Sequence, residues 1–190
     1  MRNVSILSFF VLLMCCITLN AQTHSVESSY IPTTPPSKST LVNKSSSCTI
    51  TCNAKAYERV TLSLEGLLLK ADSGILSHDV EFSVATMAAH SVATLEPDMV
   101  NLTSGAYAYR LLPHGEHFLK PAQLQLSYNS KVLPEGFHPE DIYTYYYDEA
   151  TQRWTRLERL SVDTVNHIVL SQTTHFTDFI NAVIHTPEMP

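Results

Sequence analysis

Val80-Glu81-Phe82-Ser83-Val84 is the stretch that most clearly decides the fold class. Its apolar and polar residues alternate, so an extended conformation places the apolar side chains on one face and the polar ones on the other. This pattern predicts a β-strand with one buried face. The same alternation recurs twice, with apolar positions at Val60, Leu62 and Leu64 and at Leu124, Leu126 and Tyr128.

Two further segments predict β-hairpins. Residues 142–147 read IYTYYY, a β-prone aromatic run, and a turn-rich segment separates it from Trp154. Residues 160–162 and 168–170 form a second apolar pair around a turn. Short strands at this spacing, broken by glycine and proline, are typical of an antiparallel β-sandwich, so we predict an all-β fold.

The last segment of the chain fits two kinds of structure. Phe176, Phe179 and Ile180, with Val183, are spaced as on one face of a helix. Phe176, Asp178 and Ile180 also fit a strand, and the preceding hairpin favours this interpretation. We therefore predict a strand. The predicted core of the sandwich consists of Val60, Leu62, Val80, Phe82, Val84, Leu124, Leu126, Trp154 and Ile168.

The N-terminus has the pattern of a secretory signal peptide. Arg2 supplies a positive charge, the following residues are almost entirely apolar, and small Ala21 stands where a signal peptidase cleaves. We predict a signal peptide over residues 1–21. Lipid attachment at Cys15 or Cys16 is an alternative, although neither cysteine follows the small residue that a lipid-attachment box requires.

The composition then divides the rest of the chain. Residues 22–47 are rich in serine, threonine and proline and lack apolar periodicity, so we predict a disordered linker. Residues 48–190 form the predicted domain. No second apolar segment follows the signal peptide, so we expect an exported chain without a membrane span in its mature form. Such a chain would be secreted, periplasmic or at the outer surface.

The charge balance bears on the partner. The chain carries 12 lysines and arginines against 18 aspartates and glutamates. Arg2 is the only one of these in the predicted signal peptide, which leaves 11 against 18 in the mature chain. An acidic protein without a basic stripe does not attract phosphate backbones, so we predict no nucleic-acid partner.

Two cysteines, Cys48 and Cys52, remain after removal of the signal peptide. In an extended strand their α-carbons would lie about 13 Å apart, beyond the roughly 7 Å that a disulfide spans. They could form a disulfide only if the segment turns. We favour an unbridged pair at the domain edge.

The sequence contains few candidates for chemistry. Phosphate-binding loops and the signatures of serine hydrolases and zinc metalloproteases are absent, so we predict neither enzyme activity nor a cofactor. His114 and His117 could bind a metal, but nothing identifies the further ligands that a site needs. We interpret them as exposed turn histidines and predict no metal site.

Tyr143, Tyr145 and Tyr147 occupy one face of a single predicted strand. One interpretation is an aromatic platform that binds a sugar or a partner strand. The other is that one row of the strand lies in the core and the second lies on a half-covered outer face, as in any sandwich. We favour the second interpretation, and we keep the three tyrosines as the candidate binding residues.

Four segments resemble ZU5-type domains. Residues 67–84, LLLKADSGILSHDVEFSV, contain a strand, a turn of small residues and a second strand. Residues 109–121, YRLLPHGEHFLKP, contain an aromatic residue, a Pro-x-Gly turn and a phenylalanine before a strand. Residues 146–154, together with THFTDF at residues 174–179, complete the resemblance. It implies a ZU5-like β-sandwich.

Residues 58–190 are also similar to the region after the signal peptide in large Bacteroidetes proteins with SpvB/TcaC-type toxin regions and Rhs/YD repeats. Those proteins continue far beyond the position of Pro190, so the functions of their shells and repeats are not carried over. The resemblance implies a non-catalytic interaction or scaffolding module of an exported toxin-like or surface protein. Its partner would be a protein of the envelope or of a toxin assembly.

The resemblance also raises a catalytic alternative. Some ZU5-type and related domains cleave themselves, and His175-Phe176-Thr177 resembles their motif. The implied mechanism is attack of the Thr177 hydroxyl on the Phe176 carbonyl with His175 as base. Many resembling domains keep such a tripeptide intact, so self-cleavage is the second hypothesis. A carbohydrate-binding module that uses the tyrosine face is the third.

We predict cleavage of the exported protein after Ala21. The expected N-terminus is Gln22, either free or cyclised, because the apolar run ends on a small residue. N-terminal sequencing and intact mass of the secreted protein would check this. A fatty acid on Cys15 or Cys16 would contradict it.

Overall fold

Residues 48–185, which are those that the computed structural model describes, form two packed antiparallel β-sheets. The predicted signal peptide, the predicted linker and residues 186–190 lie outside the described residues. The described strands are β1 (Thr49–Ala54), β2 (Val60–Leu64), β3 (Leu67–Ala71), β4 (Val80–Met87), β5 (Met99–Asn101), β6 (Ala108–Leu112), β7 (His117–Ser127), β8 (Tyr143–Asp148), β9 (Arg153–Arg156), β10 (Glu158–Asp163), β11 (Ile168–His175) and β12 (Asp178–Ile184).

Sheet A has the strand order β1-β4-β6-β12-β8-β9, and β5 also pairs with β12. Sheet B has the order β10-β11-β7-β3-β2. The predicted all-β sandwich is thus confirmed, and so are the hairpins β8–β9 and β10–β11. The chain crosses from sheet A to sheet B at buried Leu157, between β9 and β10.

The main core lies between the sheets. Seven of the nine predicted core residues are buried there: Val60, Leu62, Val80, Phe82, Val84, Leu124 and Leu126. At its centre the ring of Phe176 contacts Phe82 and Phe118 edge-on, with centroid distances of 4.5 and 4.9 Å. Edge-on contacts of this kind add to the free energy gained from burial.

One of the core predictions is wrong. Ile168 is only half-buried, because it pairs with Ser127 on the outer face of sheet B, and its neighbour Val169 is buried instead. Neighbouring residues of a strand point to opposite faces, so a register error of one residue exchanges them. Trp154 is buried, as predicted, and packs in a second hydrophobic cluster on the outer face of sheet A.

Strand β12 is buried on both faces, which explains its ambiguous sequence pattern. Phe179 and Val183 point towards sheet B, whereas Ile180 and Ala182 belong to the cluster on the outer face of sheet A. A strand covered on both sides has no polar face, so period two is lost from its sequence. The prediction of a strand here is confirmed.

A buried polar network ties β12 to its surroundings. The amide of Asn181 donates to the carbonyl of Leu126 in sheet B at 2.9 Å, and its oxygen accepts from Thr144 on β8 at 2.8 Å. Its backbone N–H donates to the hydroxyl of Thr103. Asn181 and Thr144 are fully buried, and these bonds satisfy groups whose burial alone would be unfavourable.

A second polar contact closes one end of the sandwich. The hydroxyl of buried Tyr109 donates to the carbonyl of Glu65 and lies 2.9 Å from that of Ser104. Burial raises its pKa to about 12. Gly66 and Gly105 have positive φ angles of 80° and 82°, and a Cβ at either position would overlap the hydroxyl. Both loops therefore need glycine for the tyrosine to reach them.

We predict that Phe82→Ala lowers the free energy of unfolding by about 3–5 kcal/mol, as for other buried aromatic residues. Leu119→Ala is the matched control, because Leu119 is 61% exposed and should change the stability little. Urea denaturation of both variants would measure this. A loss below about 0.5 kcal/mol for Phe82→Ala would contradict its place in the core.

Candidate functional site

The tyrosine row of β8 lies on the outer face of sheet A, with its three members in different environments. Tyr145 is only 5% exposed and packs against Trp154 and Ile180. Burial raises the pKa of its hydroxyl. Tyr143 and Tyr147 are half-buried, at the two ends of the row. The row therefore presents two separate, partly exposed rings rather than a continuous platform.

The connection between β4 and β5, residues 88–98, covers the middle of this face. Its residues Val92, Ala93 and Leu95 pack against the cluster that contains Tyr145. The indole N–H of Trp154 donates to the carbonyl of Thr94 at 3.2 Å and fastens the connection to β9. Sequence reasoning did not assign this cover, because the segment is neither strand-like nor helical in pattern.

Tyr143 carries a feature that sequence reasoning missed. The guanidinium carbons of Arg156 and Arg159 lie 4.4 and 3.9 Å from the centroid of its ring. These distances are typical of cation–π contacts. Arg159 also donates to the carbonyls of Glu140 and Ile142. The available signal was the spacing of Arg153, Arg156 and Arg159, three basic residues within seven positions of an acidic chain.

Thr177, the proposed nucleophile of the self-cleavage hypothesis, lies in the turn between β11 and β12. It is buried, and its hydroxyl donates to the carbonyl of Tyr147 at 2.7 Å. Among the described residues, no hydrogen bond joins it to His175. A carbonyl oxygen cannot remove the hydroxyl proton, so this contact fastens the turn to β8 and does not activate the hydroxyl.

His175 packs beside aromatic rings. Its ring lies 4.7 Å from that of Tyr146 and 5.9 Å from that of His117, measured between centroids. Burial lowers the pKa of His175, and the neighbouring His117 lowers it further. The peptide carbonyl of Phe176 accepts a hydrogen bond from the N–H of Gly115 at 3.0 Å. Neither Phe176 nor Thr177 has a positive φ, so the backbone shows no strain of that kind.

The His114 side chain lies between two acidic residues of neighbouring elements. Nδ1 of His114 lies 2.8 Å from Glu149 in the β8–β9 turn, and Nε2 lies 3.5 Å from Asp178 on β12. Asp178 is 5% exposed and accepts two hydrogen bonds of 2.7 Å from Arg110. This bidentate pair is the strongest geometry for such an interaction. The cluster connects the turn before β7 to the centre of sheet A.

Metal ligands are not gathered in the described part of the chain. The prediction of two exposed turn histidines is correct only in part. His114 lies in the turn before β7 but is half-buried against Glu149 and Asp178, and His117 is exposed but is the first residue of β7. In residues 48–185 no three histidine, cysteine, aspartate or glutamate side chains lie close enough together to hold a metal ion. Strand β1 keeps the segment from Cys48 to Cys52 extended, a geometry that does not allow a disulfide between them.

Comparisons with known proteins leave the family open. No protein-family model matches the chain, and no curated protein matches it. Within residues 48–185, no helix has the length and apolar character needed to cross a membrane.

We predict that the protein does not cleave itself between Phe176 and Thr177, because the Thr177 hydroxyl is engaged by the Tyr147 carbonyl. The purified mature chain should give one intact mass after prolonged incubation. A native fragment that begins at Thr177 would contradict this prediction if it disappears in Thr177→Ala but persists in the exposed control Thr174→Ala.

Proposed function

We propose that this protein is a non-catalytic interaction module of an exported, toxin-like or surface protein, with a ZU5-like sandwich as its contact domain. The signal-peptide pattern supports export, and the all-β sandwich agrees with the fold that the ZU5 resemblance implies. The partner that we propose is a protein of the envelope or of a toxin assembly. It binds along the open edge of sheet A at β9.

The hydrogen-bond pattern of β9 is the observation that carries this proposal. The N–H of Leu157 donates to the carbonyl of Thr144, which makes these residues a hydrogen-bonded pair. Such pairs alternate along an antiparallel ladder, so Thr155 also points its N–H towards β8. Trp154 and Arg156 then point their N–H and C=O groups outwards, where sheet A has no further strand among the described residues. An extended partner segment can pair with these groups.

Strand regularity and the neighbouring side chains favour β9 over edge strand β10. Edge strand β10 is interrupted by a register shift between Arg159 and Ser161, and bulges of this kind discourage further pairing. Beside β9 lie the partly exposed rings of Tyr143 and Tyr147. Aromatic side chains are enriched in protein interfaces, so the edge offers both backbone groups and contact area.

We predict that Arg156→Pro reduces partner binding more strongly than Arg156→Gln. Proline removes the outward N–H together with the side chain, whereas glutamine removes only the guanidinium. Immobilised mature protein would be tested against envelope proteins, with the amount of each retained protein measured by mass spectrometry.

The matched control is Thr51→Pro on β1, the opposite edge of sheet A. The N–H of Thr86 donates to the carbonyl of Cys48, so by the same alternation exposed Thr51 points its N–H outwards. Thr51→Pro should leave retention unchanged. Equal losses from the two proline variants, or hydrolase activity of the purified protein that a single substitution abolishes, would contradict the proposal.

A further inference from the structure

Arg156 and Arg159 converge on one aromatic ring at the corner where the chain leaves sheet A. Their guanidinium carbons lie 4.4 and 3.9 Å from the centroid of Tyr143, so the two charges are within about 8 Å of each other. Tyr143 begins β8, Arg156 ends edge strand β9, and Arg159 lies at the start of β10. Two positive charges at this distance repel each other, and the ring offsets the repulsion only in part.

Two hydrogen bonds to backbone carbonyls hold the side chain of Arg159 in place before any ligand binds. Its Nη1 donates to the carbonyl of Glu140, within the 3-10 turn that precedes β8, and, at 2.7 Å, to that of Ile142, just after this turn. Guanidinium carries five N–H donors, and these two contacts use one of its nitrogens. The other donors of Arg159 have no acceptor among the described residues. Arg156 is exposed and has no hydrogen bond from its side chain in the same part of the chain.

The lack of a carboxylate partner distinguishes these arginines from Arg59 and Arg110. Exposed Arg153 also forms no ion pair in the part of the chain that the structure describes, but it does not lie over the Tyr143 ring. Arg110 forms a bidentate pair with Asp178, and Arg59 lies 3.3 Å from Asp72. In residues 48–185, neither Arg156 nor Arg159 forms an ion pair with a carboxylate, although acidic residues outnumber basic ones in the chain. Two neighbouring guanidinium groups at the open edge of sheet A thus have no carboxylate partner among the described residues, although the protein is acidic overall.

We propose that Tyr143, Arg156 and Arg159 form a carboxylate-binding site that receives a glutamate or aspartate side chain of an extended partner segment paired with β9. Guanidinium groups bind carboxylates through charge-assisted, often bidentate hydrogen bonds. Arg159 presents its remaining guanidinium N–H donors in a preorganised arrangement. Arg156, on edge strand β9, donates to the same carboxylate. The inference rests on the proposed function, because the backbone pairing at β9 brings the acidic side chain to the site.

Charge complementarity favours an acidic peptide over a polyanion. The chain has a formal net charge of −6, so a sulfated glycan or a nucleic acid would meet repulsion beyond the small basic corner. A single carboxylate on a segment held by strand pairing needs only the local positive charges. The site therefore takes a protein segment with at least one exposed acidic residue.

The test uses three probes with the mature protein: the acetylated and amidated peptide Thr-Val-Thr-Glu-Thr-Val-Thr, its glutamine analogue, and dextran sulfate. Binding is followed by NMR titration of the backbone amides. The glutamate peptide should bind about tenfold more tightly than the glutamine peptide, the ratio expected for one charge-assisted contact. Its advantage should shrink as the salt concentration rises.

The variants Arg156→Gln and Arg159→Lys should each reduce the preference for the glutamate peptide to less than threefold. The matched control Arg59→Gln removes the same charge from an exposed arginine before β2 and should keep the preference. Because Arg159 also holds the turn before β8, circular dichroism is recorded for every variant, and Arg156→Gln gives the same information without touching that turn.

Each other outcome has a definite meaning. Equal affinity for the two peptides, with shifts at β9, would overturn the carboxylate site and leave the proposed edge binding intact. Failure of the glutamate peptide to bind at millimolar concentration would overturn the inference. The proposed function is tested separately, by the retention of envelope proteins on the Arg156→Pro and Thr51→Pro variants. Tighter binding of dextran sulfate that is lost in Arg156→Gln would show that the site takes a polyanion instead.

Discussion

The hydrogen bond from the Asn181 amide to the Leu126 carbonyl fixes the centre of this sandwich. It joins the strand β12 of sheet A to β7 of sheet B across an otherwise apolar interior, and Thr144 completes it from β8. If β12 shifted by one residue, Ile180 would replace Asn181 between the sheets and the amide would face the second cluster. The buried partners left unsatisfied would cost about 1–3 kcal/mol each, so the network selects one register.

The register of β12 determines where the molecule can make contact. Once Asn181 faces sheet B, Ile180 and Ala182 face outwards and need a cover, which residues 88–98 provide together with Trp154 and Tyr145. That cover closes the middle of the outer face of sheet A. What stays accessible is the margin of the sheet, where β9 ends the ladder and Tyr143 carries its two arginines.

The fold could be predicted from the sequence wherever a strand has one solvent-exposed face. The alternation around Phe82 and Leu124 reports burial directly, because polar residues mark the exposed face. Ile168 and Val169 are adjacent and both apolar, so the sequence alone does not show which of them is buried. Only the register of β11 with β7 places Val169 in the interior. In β12 the signal was ambiguous because both faces are buried.

The candidate site was less predictable, for a physical reason. The three tyrosines could be placed on one face, but the burial of Tyr145 depends on a connection from a distant part of the sequence. The contact of Tyr143 with Arg156 and Arg159 joins three strands, and periodicity within one strand cannot show it. Likewise, the hydrogen bond that engages Thr177 comes from Tyr147, thirty residues earlier in the chain.

Amide hydrogen exchange of the isolated mature protein tests the central claim most directly, namely that β12 is the closed centre and β9 the open edge of sheet A. The amides of Phe179 to Val183 should exchange only through global unfolding. Within β9, the amide of Thr155 should be protected, whereas those of Trp154 and Arg156 should exchange close to the rate of a solvent-exposed amide. Protection of Trp154 and Arg156 equal to that of β12 would contradict an open edge at this strand.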